Sequence, residues 1–255
     1  MKKRIVGVVG IVAILFGIAG SVSANHAWAS YHWARSENPL VVVLGDNVTS
    51  MWDAYLATTA SDWTASVVLD TNIASGKSPL KNCKPVAGRI EVCNSKYGNN
   101  GWLGIASVWI NGDHITQGTV KMNDTYFNSR TYNTPAWRNL VLCQEVGHTL
   151  GLDHQDEVFA NANLGTCMDY TNDPTSNQHP NLHDYEMLET IYAHTDTTSI
   201  PSTLQQNGSA LDMNDPSEWG KEVRRSRNGR ASVYERELDN GHHVLTHVFW
   251  AESRR

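Results

Sequence analysis

The sequence predicts a mixed α/β (α+β) fold, and three observations carry that expectation. A strand-like run at 39–44 precedes a helical pattern and a second apolar run at 65–69, the order of a parallel crossover unit. Two further runs, 103–110 and 115–122, flank Asn111-Gly112-Asp113, a strong hairpin signal. A long helical pattern opens at Thr134-Pro135, with Thr as cap and Pro in the first turn, and ends at Gly151. At 255 residues, 40% hydrophobic, the chain suits one sizeable core with a small appendage.

The chain begins with Lys2, Lys3 and Arg4 and an unbroken apolar run from Ile5 to Gly20. Val22-Ser23-Ala24 offers small residues at a cleavage point, and Ala27-Trp28-Ala29 is a second, so 1–24 reads as a signal peptide of a secreted protein. The run is short for a membrane span, which wants about 20 apolar residues, so membrane contact is expected only in transit. Its removal leaves 17 Lys and Arg against 26 Asp and Glu, a net charge of −9. That balance excludes nucleic-acid binding through an overall positive field.

Residues 25–38 carry no clear period. Asp46 or Asn47 can cap a helix running to about Ala60, with Trp52, Tyr55, Leu56 and Ala60 as its apolar stripe. A Gly, Ser, Lys and Pro-rich loop at 75–85 leads to a third strand at 89–93. In the long helix, Leu140, Cys143, Gly147 and Leu150 read as the face toward the sheet, with Trp137, Val141, Gln144 and His148 as the adjacent stripe. Polar loop at 171–178 precedes a last helix at 181–194, with Tyr185, Leu188, Ile191 and Tyr192 as its apolar face. The main domain is therefore placed at 25–195, and 196–255 reads as polar linker and tail. In that tail the basic stretch 221–230 reads as a solvated, mobile patch. Runs at 232–238 and 243–250 around Asp239-Asn240-Gly241 read as a hairpin that docks on the main domain or a partner. Asn47, Asn123 and Asn207 each begin a glycosylation sequon.

The chemistry concentrates in 142–170. Gln144 and His148 are four apart and share a helix face, with Glu145 at its rim. Gly151 permits a left-handed turn that returns His154 toward His148. Two imidazoles, a third ligand and a carboxylate describe a catalytic zinc site with a general base.

This run, with Gly165-Thr166-Cys167-Met168-Asp169-Tyr170 after it, resembles the zinc signature and methionine turn of the metzincin metallopeptidases. The strand order before it resembles the secreted, matrixin-like branch. The resemblance implies a mostly parallel twisted sheet with an antiparallel edge strand, a long active-site helix, a methionine turn and a C-terminal helix. It implies one catalytic zinc on Gln144, His148 and His154, and a secreted metalloendopeptidase in which Glu145 activates zinc-bound water; calcium is left open. Met168 becomes an apolar floor beneath the metal. Tyr170, at the spacing seen in astacins and serralysins, becomes an extra ligand or oxyanion stabiliser. The edge strand Leu103, Gly104, Ile105, Ala106, Ser107 and Val108 should pair with an extended peptide or protein substrate. A monomer is expected.

The sequence departs from the signature at Gln144, where the family has its first histidine. Three outcomes stay open: Gln144 ligates through its oxygen; His114, His179, His183 or Tyr170 completes the shell; or no metal binds and the domain is a catalytically inactive extracellular binding protein. His26, His32, His194, His242, His243 and His247 show no ligand spacing. The four cysteines of an exported chain allow three pairings. Cys83 with Cys93 and Cys143 with Cys167 are preferred, the second tying the active-site helix to the methionine turn, with no cysteine left to mask a metal.

Overall fold

Strands β1 (His32–Trp33), β2 (Leu40–Asn47), β3 (Leu69–Ser75), β4 (Ile90–Ser95), β5 (Trp102–Asn111), β6 (His114–Asn123), β7 (Lys221–Arg225), β8 (Ala231–Glu237) and β9 (His242–Trp250) join one sheet. Its order is β3-β2-β4-β6-β5-β9-β8-β7, with β1 beside β6. The helices are α1 (Asp53–Thr64), α2 (Asp124–Phe127), α3 (Pro135–Thr149) and α4 (Leu182–Ile191). The computed structural model describes residues 25–196 and 211–252. The expected signal segment, most of the expected linker and the Asn207 sequon lie outside the described residues.

The mixed α/β fold is as the sequence predicts, but the sheet is not mostly parallel with a single antiparallel edge. Pairing is parallel from β3 through β2 and β4 to β6. From β6 through β5, β9 and β8 to β7 it is antiparallel. The tail causes the difference: its hairpin extends the sheet beyond β5, so 221–250 is no appendage. Consequently residues 103–108 do not form a free edge. Gly104 to Val108 pair with Met122 to Gly118 of β6 on one side and Phe249 to Leu245 of β9 on the other.

The main core lies between the sheet and α1, α3 and α4, with Leu44, Trp63, Leu103, Val108, Leu140 and Leu188 fully buried. A second, smaller core covers the other face of β5 and β9, where Trp102, Ile105 and Trp109 meet Met213, Trp219 and Val248. Burial on both faces makes 102–110 a continuous hydrophobic run rather than an alternating one.

Helix α1 starts later than its predicted caps. Asp46 and Asn47 remain in β2, and the buried Asn47 side chain hydrogen-bonds Glu91. The helix then runs to Thr64, so β3 begins at Leu69 rather than Ala65. Asn47 and Asn123 are buried with bonded side chains, which removes both sequons as acceptors. Both preferred disulfides are present, with Cα separations of 5.9 Å for Cys83–Cys93 and 6.0 Å for Cys143–Cys167. Among the described residues no helix is long and apolar enough to cross a membrane.

Helix α3 begins as predicted, with the Thr134 hydroxyl accepting from the Trp137 N–H at 3.2 Å. Its faces differ from the predicted ones. Gly147 points at Trp63 of α1 and at Met168, whereas Val141 and Glu145 lie on β5 over Gly104. The basic stretch is also ordered rather than a solvated patch. Arg224 is bidentate to Asp153 at 2.5 and 2.6 Å, and Arg230 lies over the Phe159 ring at 4.7 Å.

Lys121 on β6 is fully buried beside the smaller core, with Nζ donating to Asn214 Oδ1 at 3.1 Å. Burial drives its ammonium down to about 7, against a weaker upward pull from Asp212. Folding thus releases a proton between pH 7 and the unfolded value of 10.5, and this group's contribution to stability rises with pH across that window. We expect Lys121→Met to raise the melting temperature at pH 6 by roughly 4–8 °C, equivalent to about 2 kcal/mol. The gain should shrink toward pH 10. Calorimetry at the two pH values checks it, and a gain independent of pH would refute the ionic origin.

Candidate metal centre

The last turn of α3 sets the site. Gly151 has φ +96°, and a Cβ there would stand 2.4 Å from the Tyr31 carbonyl oxygen. Only glycine satisfies both conditions. The chain reverses, and the N-terminal segment clamps the turn: Trp28 N–H donates to Gly151 O at 2.7 Å and Asp153 N–H to His26 O at 2.5 Å. His154 therefore returns to His148 as expected, their ring centroids 4.5 Å apart.

The third imidazole is His247 of β9. Its ring lies 4.1 Å from that of His148 and 4.9 Å from that of His154. One ring nitrogen from each of the three lies within 4.8 Å of the others, close enough to hold one metal ion. His247 stands 93 residues beyond His154 and belongs to no ligand spacing pattern, so the sequence does not mark it. The signal available was its place within a predicted strand, but no local rule says where that strand pairs. The histidines weighed to complete the shell lie elsewhere. His114 contacts Asp196 at 3.2 Å, His179 contacts Asp62 at 2.7 Å, and His183 stacks on His26 at 4.7 Å.

Hydrogen bonds orient the rings. His148 Nδ1 contacts the Leu152 carbonyl at 2.9 Å, which requires the N–H there and leaves Nε2 a bare lone pair. His247 Nδ1 contacts Glu145 Oε2 at 3.0 Å, while its Nε2 lies 3.3 Å from the Tyr170 hydroxyl. Asp153, gripped by Arg224, stands 3.2 Å from His154 Nδ1. Tyr170 packs between His154, at 4.0 Å, and Phe159, at 4.6 Å.

Gln144 points its amide N–H at the Cys167 carbonyl, 2.7 Å away. The disulfide to Cys143 and the Thr166–Asp184 hydrogen bond hold the methionine turn beneath it. Met168 abuts α3 at Gly147, as a floor for the site would. Of the expected site residues, Glu145, His148, His154 and Tyr170 are brought together around His247, with Gly104 and Ala106 of β5 against Glu145, whereas the Gln144 side chain is fastened to the methionine turn.

The whole group is sealed. Gln144, Glu145 and His247 are 0% exposed, and even His154 is only 7% exposed. Burial pushes the Glu145 carboxyl well up, partly offset by the Ala106 N–H. It pushes His148, His154 and His247 down, toward neutral imidazole. Burial also favours the neutral form of Asp153, but hydrogen bonds from His154 and Arg224 outweigh it and hold that carboxyl below its usual range.

The residues fit a divalent ion. His148 Nε2, His154 Nε2 and Gln144 Oε1 are buried acceptors with no hydrogen-bond partner. Each would cost about 1–3 kcal/mol left so. Neutral imidazoles with acceptor nitrogens facing one point are what zinc requires.

No protein-family model and no curated protein sequence matches this chain. The solved structure of myroilysin is similar to it. That likeness covers 67% of this chain and 99% of myroilysin, at 14% sequence identity and a TM-score of 0.39.

A Cβ on Gly104 would come 2.6 Å from Val141 Cγ1 and 2.9 Å from Glu145 Oε1. Gly104→Ala should therefore push α3 off β5, with a cost of about 1–3 kcal/mol. A fall in the denaturation midpoint checks this, and an unchanged midpoint would contradict the packing.

Proposed function

We propose that this chain is a secreted, zinc-dependent metalloendopeptidase held in a latent state by its own C-terminal hairpin. The observation that carries the reading is the convergence of His148, His154 and His247 beside the buried Glu145. The metzincin-like motif supports it, and the two disulfides fit an oxidising, extracytoplasmic setting.

His148, His154 and His247 would hold the ion, with the Gln144 oxygen as an alternative third donor. The ion would supply Lewis-acid polarisation of a peptide carbonyl and acidify water. Glu145 is the general base. It takes a proton from the attacking water and returns it to the leaving amine as the C–N bond breaks. Its raised carboxyl suits a group that must carry that proton. Tyr170 would donate to the developing oxyanion. An extended peptide would pair with 103–108 only after β9 has left, because β9 now fills those hydrogen-bonding positions. In the closed state His247 also occupies Glu145, so base and strand are blocked together.

A second reading, a silent extracellular binding module, draws on the same burial. β9 contributes Phe249 to the main core, and none of the three histidines lines the wide surface groove bounded by Tyr126, Tyr132, Arg230 and Trp250.

Metal analysis of the purified secreted chain, followed by cleavage of unfolded casein with and without a chelator, tests the proposal. We expect His148→Ala to lower the bound zinc by one equivalent per chain, and slow, chelator-sensitive cleavage by the wild type. His247→Ala with Gln144→His, which restores a ligand on α3, frees Glu145 and removes the His247–Glu145 contact that ties β9 to α3, should ease the departure of β9 and raise cleavage at least tenfold. The equivalent of zinc that depends on His148 present in full, with no cleavage by either protein, would decide for the binding module.

A further inference from the structure

We propose that His32, His114, His194 and Asp196 form a second, structural site for a zinc-type divalent ion, sharing no residue with the first. Three distant segments supply it: β1, the first residue of β6, and the chain leaving α4. The potential ligand atoms converge on one carboxylate oxygen. Asp196 Oδ1 lies 3.2 Å from His114 Nε2, 3.4 Å from His194 Nε2 and 3.7 Å from His32 Nε2. His32 Nε2 and His194 Nε2 are 3.1 Å apart. A tetrahedral ion with bonds of about 2.0–2.1 Å places its ligand atoms roughly 3.3–3.4 Å from one another. The observed separations bracket that edge length.

The outer contacts point the same way. His32 Nδ1 lies 2.7 Å from the Ser30 carbonyl, so the proton resides there and Nε2 presents a lone pair inward. Asp196 Oδ2 accepts the Arg35 N–H at 2.8 Å, which reserves Oδ1 for the centre. Hydrogen bonds already join the cluster: His114 Nε2 lies 3.2 Å from Asp196 Oδ1, and the bare His32 nitrogen faces His194 Nε2 at 3.1 Å. A cation would replace both contacts and take all four atoms as ligands at once. The side chains of His32 and Asp196 are 8% and 12% exposed, whereas that of His194 is 52% exposed, so the site has a buried floor and an entry side.

An ion here would act as a staple. β1 is two residues long and pairs only with β6, yet it positions the first site. Trp33 Nε1–H donates to Thr149 O at 2.8 Å, and the Tyr192 hydroxyl donates to Leu150 O at 2.9 Å, both at the end of α3. Joining β1, β6 and the exit of α4 would hold these contacts against the turn that carries His148 and His154.

The test uses the full-length chain and zinc alone. In a His148→Ala/His154→Ala background, with the first site disabled, we expect one zinc per chain and a melting temperature that rises with zinc. Asp196→Asn should remove both effects. Should that variant fail to fold, His194→Gln, at the exposed side, is expected to fold and to weaken zinc binding at least tenfold in competition with a chromophoric chelator. No zinc bound in the double-alanine background, or an affinity unchanged by His194→Gln and Asp196→Asn, would overturn the proposal.

Discussion

Buried acceptors without donors are the constraint around which this molecule is arranged. His148 Nε2, His154 Nε2 and Gln144 Oε1 face inward where neither water nor a protein N–H reaches them. Water would satisfy each of these atoms in the unfolded chain, so the fold carries a penalty of several kcal/mol unless a cation compensates. The surrounding devices make sense as supports for that geometry. Gly151 turns the chain, residues 26–28 hold the turn, and a disulfide joins Cys143 to the residue before Met168. Asp184 links the methionine turn to α4: it caps that helix with Asn181 and also bonds Thr166 and Gln155.

The C-terminal hairpin has two roles that share one interface. Through β9 it buries Phe249 in the main core and Val244 and Val248 in the smaller one. Through His247 it delivers the third imidazole and engages Glu145. Arg224 of β7 adds an electrostatic tie to Asp153, next to His154. Asp153 is mostly shielded, so this pair is less screened than a surface ion pair. The contacts that anchor the hairpin therefore also bury Glu145 and hold His247 against it.

A parallel logic holds at the chain's start. β1 is too short to be stable through its ladder alone, and its side chains fasten it instead. Trp33 reaches the end of α3, and His32 reaches the carboxylate of Asp196. The beginning and end of the main domain thus meet beside the turn that shapes the first site.

Much of this was legible locally. The Thr134-Pro135 start and Gly151 stop of α3, the return of His154 and the turns at Gly112 and Gly241 follow from short-range rules on capping and left-handed backbone, and both preferred cysteine pairs, out of three possible pairings, are the ones present. The helical faces did not follow, because a helix buried all round carries too little periodicity to say which stripe meets β5. What only the tertiary structure decided was the partner of β5 and, with it, the identity of the third histidine. Strand pairing between Ala106 and His247 spans 141 residues and is selected by packing on both faces of the sheet, which no local pattern encodes.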